Sequence, residues 1–272
     1  MKIIYIILFF ILTTFSNVYS QKKENIEDSP YGFKNISYLE SISPDWNYKI
    51  TLGAWMNAMR GDISANQLYG YIDNQFYNKY NGADFSFYGY FQAKKNRGSL
   101  TAQFTSSNQS DKFNYDNDSL YSRSITSSRS MFITTNMSYE FYRNSEVTFD
   151  LYGGARFNFI TNLIENFYNT GGSVQEGQTK FFIDPIIGTK FFYIPFKGPN
   201  ISRLFINGNF DVGGYGLVSF LSFESYIGTG YKINKSVTIN LGYRYIDVHY
   251  GTDTYLIDAG IQGIEFTATT NF

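Results

Sequence analysis

Ten segments of the chain alternate apolar and polar residues, and this period of two constrains the fold more than any other feature of the sequence. The clearest segment begins at Ser236, and one of its faces carries Val237, Ile239, Leu241, Tyr243 and Tyr245. Side chains of a strand alternate between its two faces, so each segment forms a ribbon with one apolar and one polar side. Ten such ribbons in succession predict an all-β fold, a transmembrane antiparallel up-and-down β-barrel with lipid outside and a polar lumen. Eight or twelve strands stay open as alternatives.

The predicted strands share alternation and a bounding cluster of turn residues. They are approximately Trp46–Met59, Ala83–Lys94, Gly98–Ser107, Arg129–Tyr142, Glu146–Phe159, Lys180–Ile194, Ser202–Val212, Val218–Ile233, Ser236–Val248 and Tyr255–Phe272. When these strands are numbered in order, the connections that follow strands 2, 4, 6 and 8 are short. Three of the connections that follow odd-numbered strands are long, at 60–82, 108–128 and 161–179. Bacterial barrels have short periplasmic turns and longer extracellular loops, so the pattern predicts that both termini face the periplasm.

The first twenty residues predict a secretory signal peptide rather than a strand. Lys2 precedes an apolar run from Ile3 to Phe15, and small or β-branched residues follow before Gln21. The run is too short to span a bilayer as a helix. The sequence therefore divides into a signal peptide (1–20), a periplasmic N-terminal extension (21–45) and an outer-membrane β-barrel (46–272).

Charge and cysteine content exclude several classes of function. The chain has 22 Lys and Arg against 23 Asp and Glu, and this near-neutral balance argues against nucleic acid as a partner. It has no Cys, which rules out disulfides, Cys-based metal sites and Cys catalysis. With one His and no cofactor motif, we expect no cofactor, no metal and no enzymatic activity.

Several motifs occur together in the second half of the chain. Asp184-Pro-Ile-Ile-Gly188 precedes Asp211-Val-Gly-Gly-Tyr-Gly216 and then Gly242-Tyr-Arg-Tyr245, while Leu52-Gly-Ala-Trp55 and Gly61-Asp62 lie near the first strand. In this order they resemble a widespread family of uncharacterised bacterial outer-membrane β-barrel proteins. The resemblance implies a barrel but no activity.

The last strand ends on Phe272 and resembles the C-terminal signal read by the barrel assembly machinery, so the expected partners are that machinery and outer-membrane lipid. Oligomeric state is not readable from the sequence.

Charged residues alternate with the lipid-facing rows and are therefore expected inside the barrel. Arg or Lys on the lipid face at mid-membrane would cost about 2–4 kcal/mol each, which fixes this phase. In the lumen we expect Arg244 between Glu224 and Glu265, and Lys190 paired with Asp150. The expected charge network comprises Glu140, Asp150, Arg156, Lys190, Glu224, Arg244 and Glu265.

Two further groups suggest sites at the outer rim. Asp184, Asp211 and Asp258 fall near the outer ends of predicted strands and could together hold a cation such as Ca²⁺, which prefers oxygen ligands. Asp247 and His249 resemble the Asp-x-His pair of omptins, which are ten-stranded surface proteases. An Asp that orients a His is general-base chemistry, but both residues continue the lipid-facing phase of Tyr243 and Tyr245.

Two smaller patterns complete the sequence-based expectations. Leu68, Ile72 and Phe76 recur every four residues, which predicts a helix in the first loop. The glycines around 213–216 predict a tight turn or bulge with positive φ.

The favoured function is a structural barrel or narrow passive pore with a charged, largely filled lumen. A surface adhesin or binding barrel and an omptin-like rim hydrolase remain as alternatives.

Overall fold

The computed structural model describes residues 42–74, 85–115, 120–196, 203–234 and 236–272. The predicted signal peptide and nearly all of the predicted extension lie outside these residues, as does Phe76. Eleven strands occur in this part of the chain: β1 (Asn47–Ala65), β2 (Leu68–Asp73), β3 (Phe85–Lys95), β4 (Gly98–Asn114), β5 (Tyr121–Arg143), β6 (Val147–Tyr168), β7 (Ser173–Tyr193), β8 (Leu204–Gly213), β9 (Leu221–Lys232), β10 (Val237–Thr252) and β11 (Tyr255–Asn271). No helix among the described residues is long and apolar enough to cross a membrane.

Ten of the strands close into one antiparallel ring. Each strand except β2 pairs with its neighbours in chain order, and β1 pairs with β11 from Lys49↔Asn271 to Ala65↔Tyr255. The predicted ten-stranded up-and-down barrel is therefore confirmed. We call the end that carries the short connections the turn end, and the opposite end the loop end.

The strand β2 is an addition to the ring and replaces the predicted helix. A turn at Asn66, whose φ is 51°, returns the chain so that Leu68–Asp73 pairs with the loop end of β1. Residues four apart share one face of a strand as well as of a helix, so the spacing of Leu68 and Ile72 could not separate the two. The helix prediction is wrong for these residues.

Most strands extend farther toward the loop end than their hydropathy predicts. Strands β5, β6 and β7 have 23, 22 and 21 residues, whereas a membrane-spanning strand needs about 9–11. Much of the predicted long loops at 108–128 and 161–179 is therefore strand. These segments are rich in Ser, Thr, Asn and Gln, which weakens the hydropathy contrast without breaking the ladder. Strands β8 and β9 have only 10 and 12 residues, so the wall is low there.

Outward-facing residues form an apolar belt. Every strand of the ring carries at least one exposed large apolar side chain, for example Met137, Leu151, Ile187, Leu241 and Phe266. Their inward alternates are buried and mostly polar near the turn end. This is the arrangement that a lipid-facing barrel requires.

Candidate functional site in the barrel lumen

The lumen has two layers of different chemistry. On β11 the inward residues are Glu265, Thr267 and Thr269 toward the turn end, but Ile257, Ala259 and Ile261 toward the loop end. The same change occurs on β10, between inward Arg244 and inward Ile246. The lower layer therefore holds the ionisable groups, and the upper layer is a dry core.

A chain of ion pairs crosses the lower layer. Arg156 Nη2 lies 2.6 Å from Asp211 Oδ1 and 2.9 Å from Glu224 Oε2. Arg244 binds the other oxygen of Glu224 through Nη1 and lies 2.5 Å from Glu265 Oε2 through Nε. Arg244 is thus between Glu224 and Glu265, as predicted. We call these five residues the central network: Asp211, Arg156, Glu224, Arg244 and Glu265.

Neutral side chains complete the central network. Gln103 on β4 donates to Glu224 Oε1 at 2.8 Å, and the Tyr152 hydroxyl donates to Asp211 Oδ2 at 2.9 Å. The Arg244 guanidinium lies over the rings of Tyr88 and Tyr226, 4.6 and 4.9 Å from their centroids. All five charged members are at most 2% exposed, so the network fills the barrel's cross-section instead of lining an open channel.

Glycines of the sequence motifs make room for this network. A Cβ on Gly242 would lie 2.5 Å from the Tyr226 ring, and a Cβ on Gly188 would lie 2.5 Å from Cζ of Tyr152. A Cβ carbon does not come this close to a non-bonded atom in folded proteins. Because Tyr226 stacks on Arg244 and Tyr152 binds Asp211, the two glycines position the partners of the network, which gives these motif residues a physical role.

The remaining predicted lumen charges form a second cluster closer to the turn end. Glu140 accepts from Lys94 Nζ at 3.0 Å and from Arg143 Nε at 2.5 Å. Asp150 and Lys190 are register partners on β6 and β7. The expected Lys190–Asp150 ion pair is nevertheless not formed, because Lys190 Nζ extends to Asn136 Oδ1, 3.2 Å away, and over the ring of Tyr152.

The three predicted rim carboxylates do not form one site. Asp184 is buried and accepts from Ser219 Oγ at 2.7 Å and Asn158 Nδ2 at 3.0 Å, which anchors the β8–β9 turn. Asp211 belongs to the central network. Asp258 lies on the outer face, because β11 alternates and its inward phase passes through Ile257 and Glu265. The prediction of a shared cation site is wrong, and the described residues include no cluster of three potential metal ligands.

Asp247 and His249 lie on the outer face of β10, as their phase predicts. Their inward alternates Ile246 and Val248 are buried, while the His249 side chain is 46% exposed. Its Nδ1 lies 4.0 Å from Asp258 Oδ1. This places the pair outside the mouth of the barrel rather than within it.

The upper layer is closed by what we call the flap, residues 61–73 and 250–257. These two hairpins pair side by side through β1 and β11. They reach β6 and β7, which stand on the opposite side of the ring: Asn162 Nδ2 donates to Ser64 O at 3.3 Å, and Asn66 Nδ2 donates to Glu176 Oε2 at 2.7 Å. The flap therefore covers the loop end of the lumen.

Apolar side chains fill the space beneath the flap. The cluster, which we call the apolar plug, comprises Trp55, Met59, Ile63, Ala65, Ile72, Phe132, Ile160, Ile164, Phe182, Ile246, Val248, Tyr255, Ile257, Ala259 and Ile261. The Tyr255 phenol is buried in this cluster and donates to Ile160 O at 3.3 Å. This plug is absent from the sequence-based predictions, and the signal for it is the change from polar to apolar residues along the inward rows of β10 and β11.

A cavity remains on the other side of the central network. It has a volume of about 230 Å³, and its lining extends from Arg244 and Glu265 down to Lys49, Arg143 and Asn271 at the turn end. The cavity therefore lies between the network and the turn-end rim. We call it the vestibule.

Together, the closed ring of ten strands, the outward apolar belt and the charged lumen define a protein with the outer-membrane β-barrel fold. No protein-family model matches the sequence, and no curated protein matches it either. The motif-based family resemblance therefore has no independent support beyond the shared fold.

Three solved outer-membrane structures align with the chain at low sequence identity. The outer membrane protease OmpT from Escherichia coli aligns with a TM-score of 0.50 and 11% identity, covering 86% of this chain and 98% of the protease. The translocator domain of the autotransporter NalP from Neisseria meningitidis aligns with a TM-score of 0.45 and 10% identity, covering 84% of this chain and 87% of the translocator domain. Ail, the attachment invasion locus protein of Yersinia pestis, aligns with a TM-score of 0.35 and 10% identity, covering 84% of this chain and 99% of Ail.

Proposed function

We propose that this protein is an integral barrel of the bacterial outer membrane that serves as a closed, non-enzymatic structural element and not as an open pore. The observation that carries the proposal is the double closure of its lumen. The central network spans the interior with side chains that are at most 2% exposed, and the apolar plug and flap lie above it.

Both layers oppose the passage of ions. An ion would have to displace buried Arg–carboxylate pairs and then cross an apolar layer, where burying an unpaired charge costs several kcal/mol. The apolar belt supports the membrane part of the proposal, since exposed residues such as Met137, 69% exposed, gain from contact with lipid. The passive-pore alternative receives no support from this lumen.

Planar-bilayer recording tests the proposal directly. The full barrel, refolded in detergent and inserted into bilayers, is expected to give no discrete conductance steps. Insertion is verified independently by protease protection of the same preparation reconstituted in liposomes. Stable steps from verified, folded protein would contradict the closed-barrel proposal.

A second candidate is a surface-binding barrel, and an aromatic stripe at the loop end favours it. Ring contacts run from Phe113 to Tyr115, from Tyr115 to Tyr121 and from Tyr121 to Tyr168, at centroid distances of 5.0, 6.4 and 5.0 Å. Phe113 is 60% exposed. Rigid aromatic groups supply contact area at low entropic cost. Loss of cell-surface binding to host matrix in a Phe113→Ser, Tyr115→Ser double variant would support this candidate, and unchanged binding would remove it.

The omptin-like alternative has the weakest geometric basis. His249 and Asp247 are on the outer face, and the interior beneath the mouth is the apolar plug. A general base must be within hydrogen-bond reach of the proton that it removes from a bound substrate. We therefore propose a barrel without hydrolytic activity.

A further inference from the structure

The vestibule contains a lysine whose ammonium group is held in place but has no anionic partner among the residues that the structure describes. Lys190 Nζ is bonded to Asn136 Oδ1 at 3.2 Å and lies 4.7 and 5.7 Å from the ring centroids of Tyr152 and Tyr90. Among the described residues, no carboxylate oxygen lies within 4 Å of it, although Asp150 is its register partner. An ammonium has three donors, and the amide oxygen of Asn136 takes one of them.

Cationic side chains outnumber carboxylates among the described residues that line the vestibule. Six cationic side chains line it: Lys49, Lys94, Arg143, Lys190, Lys232 and Arg244. Three lining carboxylates, Asp150, Asp211 and Glu265, oppose them. With the buried ion-pair partners Arg156, Glu140 and Glu224 included, the described residues at the vestibule comprise seven cations and five carboxylates. A concave site in which one sign of charge predominates concentrates counter-ions of the other sign.

The other vestibule residues are suited to a small polar ring. The walls combine tyrosines, such as Tyr88, Tyr90 and Tyr226, with side-chain amides, such as Asn207 and Asn240. Pockets that bind small molecules combine aromatic walls with a few placed polar groups, and those for drug-sized ligands measure about 300–1,000 Å³. A volume of about 230 Å³ therefore fits a ligand of the size of a single sugar.

From these observations we propose that the vestibule binds a small oxyanion, a carboxylate or phosphate carried on a sugar-sized scaffold, with Lys190 as its principal ligand. The anion would accept from the ammonium on the side away from Asn136, beneath the central network. Arg156 and Arg244 are each paired with two carboxylates of the central network and are not needed for this contact. The ligand enters from the turn end, because the plug and flap close the other end. The proposal does not depend on the barrel being non-conducting.

Calorimetric titration of the detergent-solubilised full barrel separates the two anion types from neutral sugar. The probes are glucose 6-phosphate, glucuronate and glucose. At least one of the two anions is expected to bind, glucose is not, and binding should weaken as salt rises. Which anion binds more tightly distinguishes a phosphate ligand from a carboxylate ligand. Equal binding of glucose, or no anion binding up to about 10 mM, would overturn the proposal.

Two substitutions place the binding at Lys190. Lys190→Gln removes the ammonium and is expected to weaken anion binding by about tenfold or more. Asn136→Asp keeps the size of the side chain but puts a carboxylate beside Nζ, so it should abolish binding as an internal competitor. The Asn136→Asp variant also tests the proposal if the Lys190→Gln protein does not fold. Arg97→Gln, a loss of charge at an exposed turn outside the vestibule, is the matched control and should bind as the wild type does. Anion binding that survives both vestibule changes would refute the assignment.

Discussion

The ring of Tyr250 stacks on the ring of Phe182, with centroids 4.1 Å apart and planes inclined by only 5°. Tyr250 belongs to the flap, and Phe182 is on β7, which is not a ring neighbour of β10. The contact is possible because β8 and β9 are short and leave the wall low between them. One aromatic pair thus joins the flap to the opposite wall.

Phe182→Ala is expected to loosen the flap. Truncating a buried Phe costs about 3–5 kcal/mol, and this loss falls on contacts that only the closed flap makes. Hydrogen–deuterium exchange should therefore accelerate in residues 61–73 and 250–257, while the β5–β6 ladder stays protected. Phe181→Ala is the control, because Phe181 is on the outer face and 52% exposed. Equal exchange in the two variants would show that the stacking does not hold the flap.

Glu224→Gln is expected to destabilise the barrel strongly. In the part of the chain that the structure describes, Glu224 is the one carboxylate that contacts both Arg156 and Arg244. Neutralising it leaves buried cations short of one partner, and removing one member of a buried ion pair costs about 3–5 kcal/mol. A urea titration in detergent, followed by the heat-modifiable gel shift, measures the effect. Asp253→Asn makes the same chemical change at the exposed β10–β11 turn and should leave the midpoint unchanged. A wild-type midpoint for Glu224→Gln would mean that the network adds no stability.

Adjacent glycines on β6 should respond differently to alanine. A Cβ on Gly154 would clash with the backbone oxygen of Thr135, whereas the nearest atom to a Cβ on Gly153 is 3.7 Å away. Gly154→Ala is expected to lower the free energy of unfolding by about 1–3 kcal/mol, because it forces β5 and β6 apart. Gly153→Ala should leave the free energy of unfolding almost unchanged. Urea titration compares the two variants. A larger loss for Gly153→Ala would invalidate the register described here.

Labelling on intact cells tests the expected orientation. The chain has no Cys, so single substitutions give unique sites. Asp253→Cys, in the β10–β11 turn at the loop end, should react with a membrane-impermeant maleimide. Arg97→Cys, in the β3–β4 turn at the turn end, should react only after the outer membrane is permeabilised. The reverse pattern would place the termini and the vestibule on the outside.

His249→Ala should leave folding and any surface phenotype unchanged, because the imidazole lies on the outer face, 46% exposed. A peptidase assay on cells that express each form provides the measurement. If the wild type cleaves a peptide and the folded His249→Ala protein does not, the non-enzymatic proposal is wrong.

The fold could be predicted because its signal repeats in every strand. The position of Arg244 between Glu224 and Glu265 follows from counting outward from the short turn near Asn234, since a hairpin turn fixes the register. Asp258 was misplaced although the phase of Glu265 on the same strand puts it outside, so the information was present in the sequence. The Lys190 contact with Asn136 depends on the rotamer of a long side chain, which register alone does not determine.

The flap could not be predicted in the same way, and the plug is signalled only by a reversal of the alternation. The loop end of β5 carries mostly Ser and Thr on both faces, which conceals its strand character. On β10 the inward row changes from Arg244 to Ile246 and Val248 while the outward row changes to Asp247 and His249, so the apolar face of the strand turns from the lipid to the lumen. The flap also requires contacts between β1 and β6, which no local pattern encodes.

The distribution of the central network along the chain has a consequence for the order of assembly. Four of its five members are on the consecutive strands β8, β9, β10 and β11, and Arg244 meets both Glu224 and Glu265 within a single three-stranded sheet. Most of the charge can therefore be neutralised while the sheet is still open. At its loop end, the pairing of β1 with β11 adds apolar residues to the lumen, because Trp55, Met59 and Ile63 of β1 are part of the plug. The loop-end part of this last joint is thus closed by apolar contact, after most of the central network's charges can already be paired.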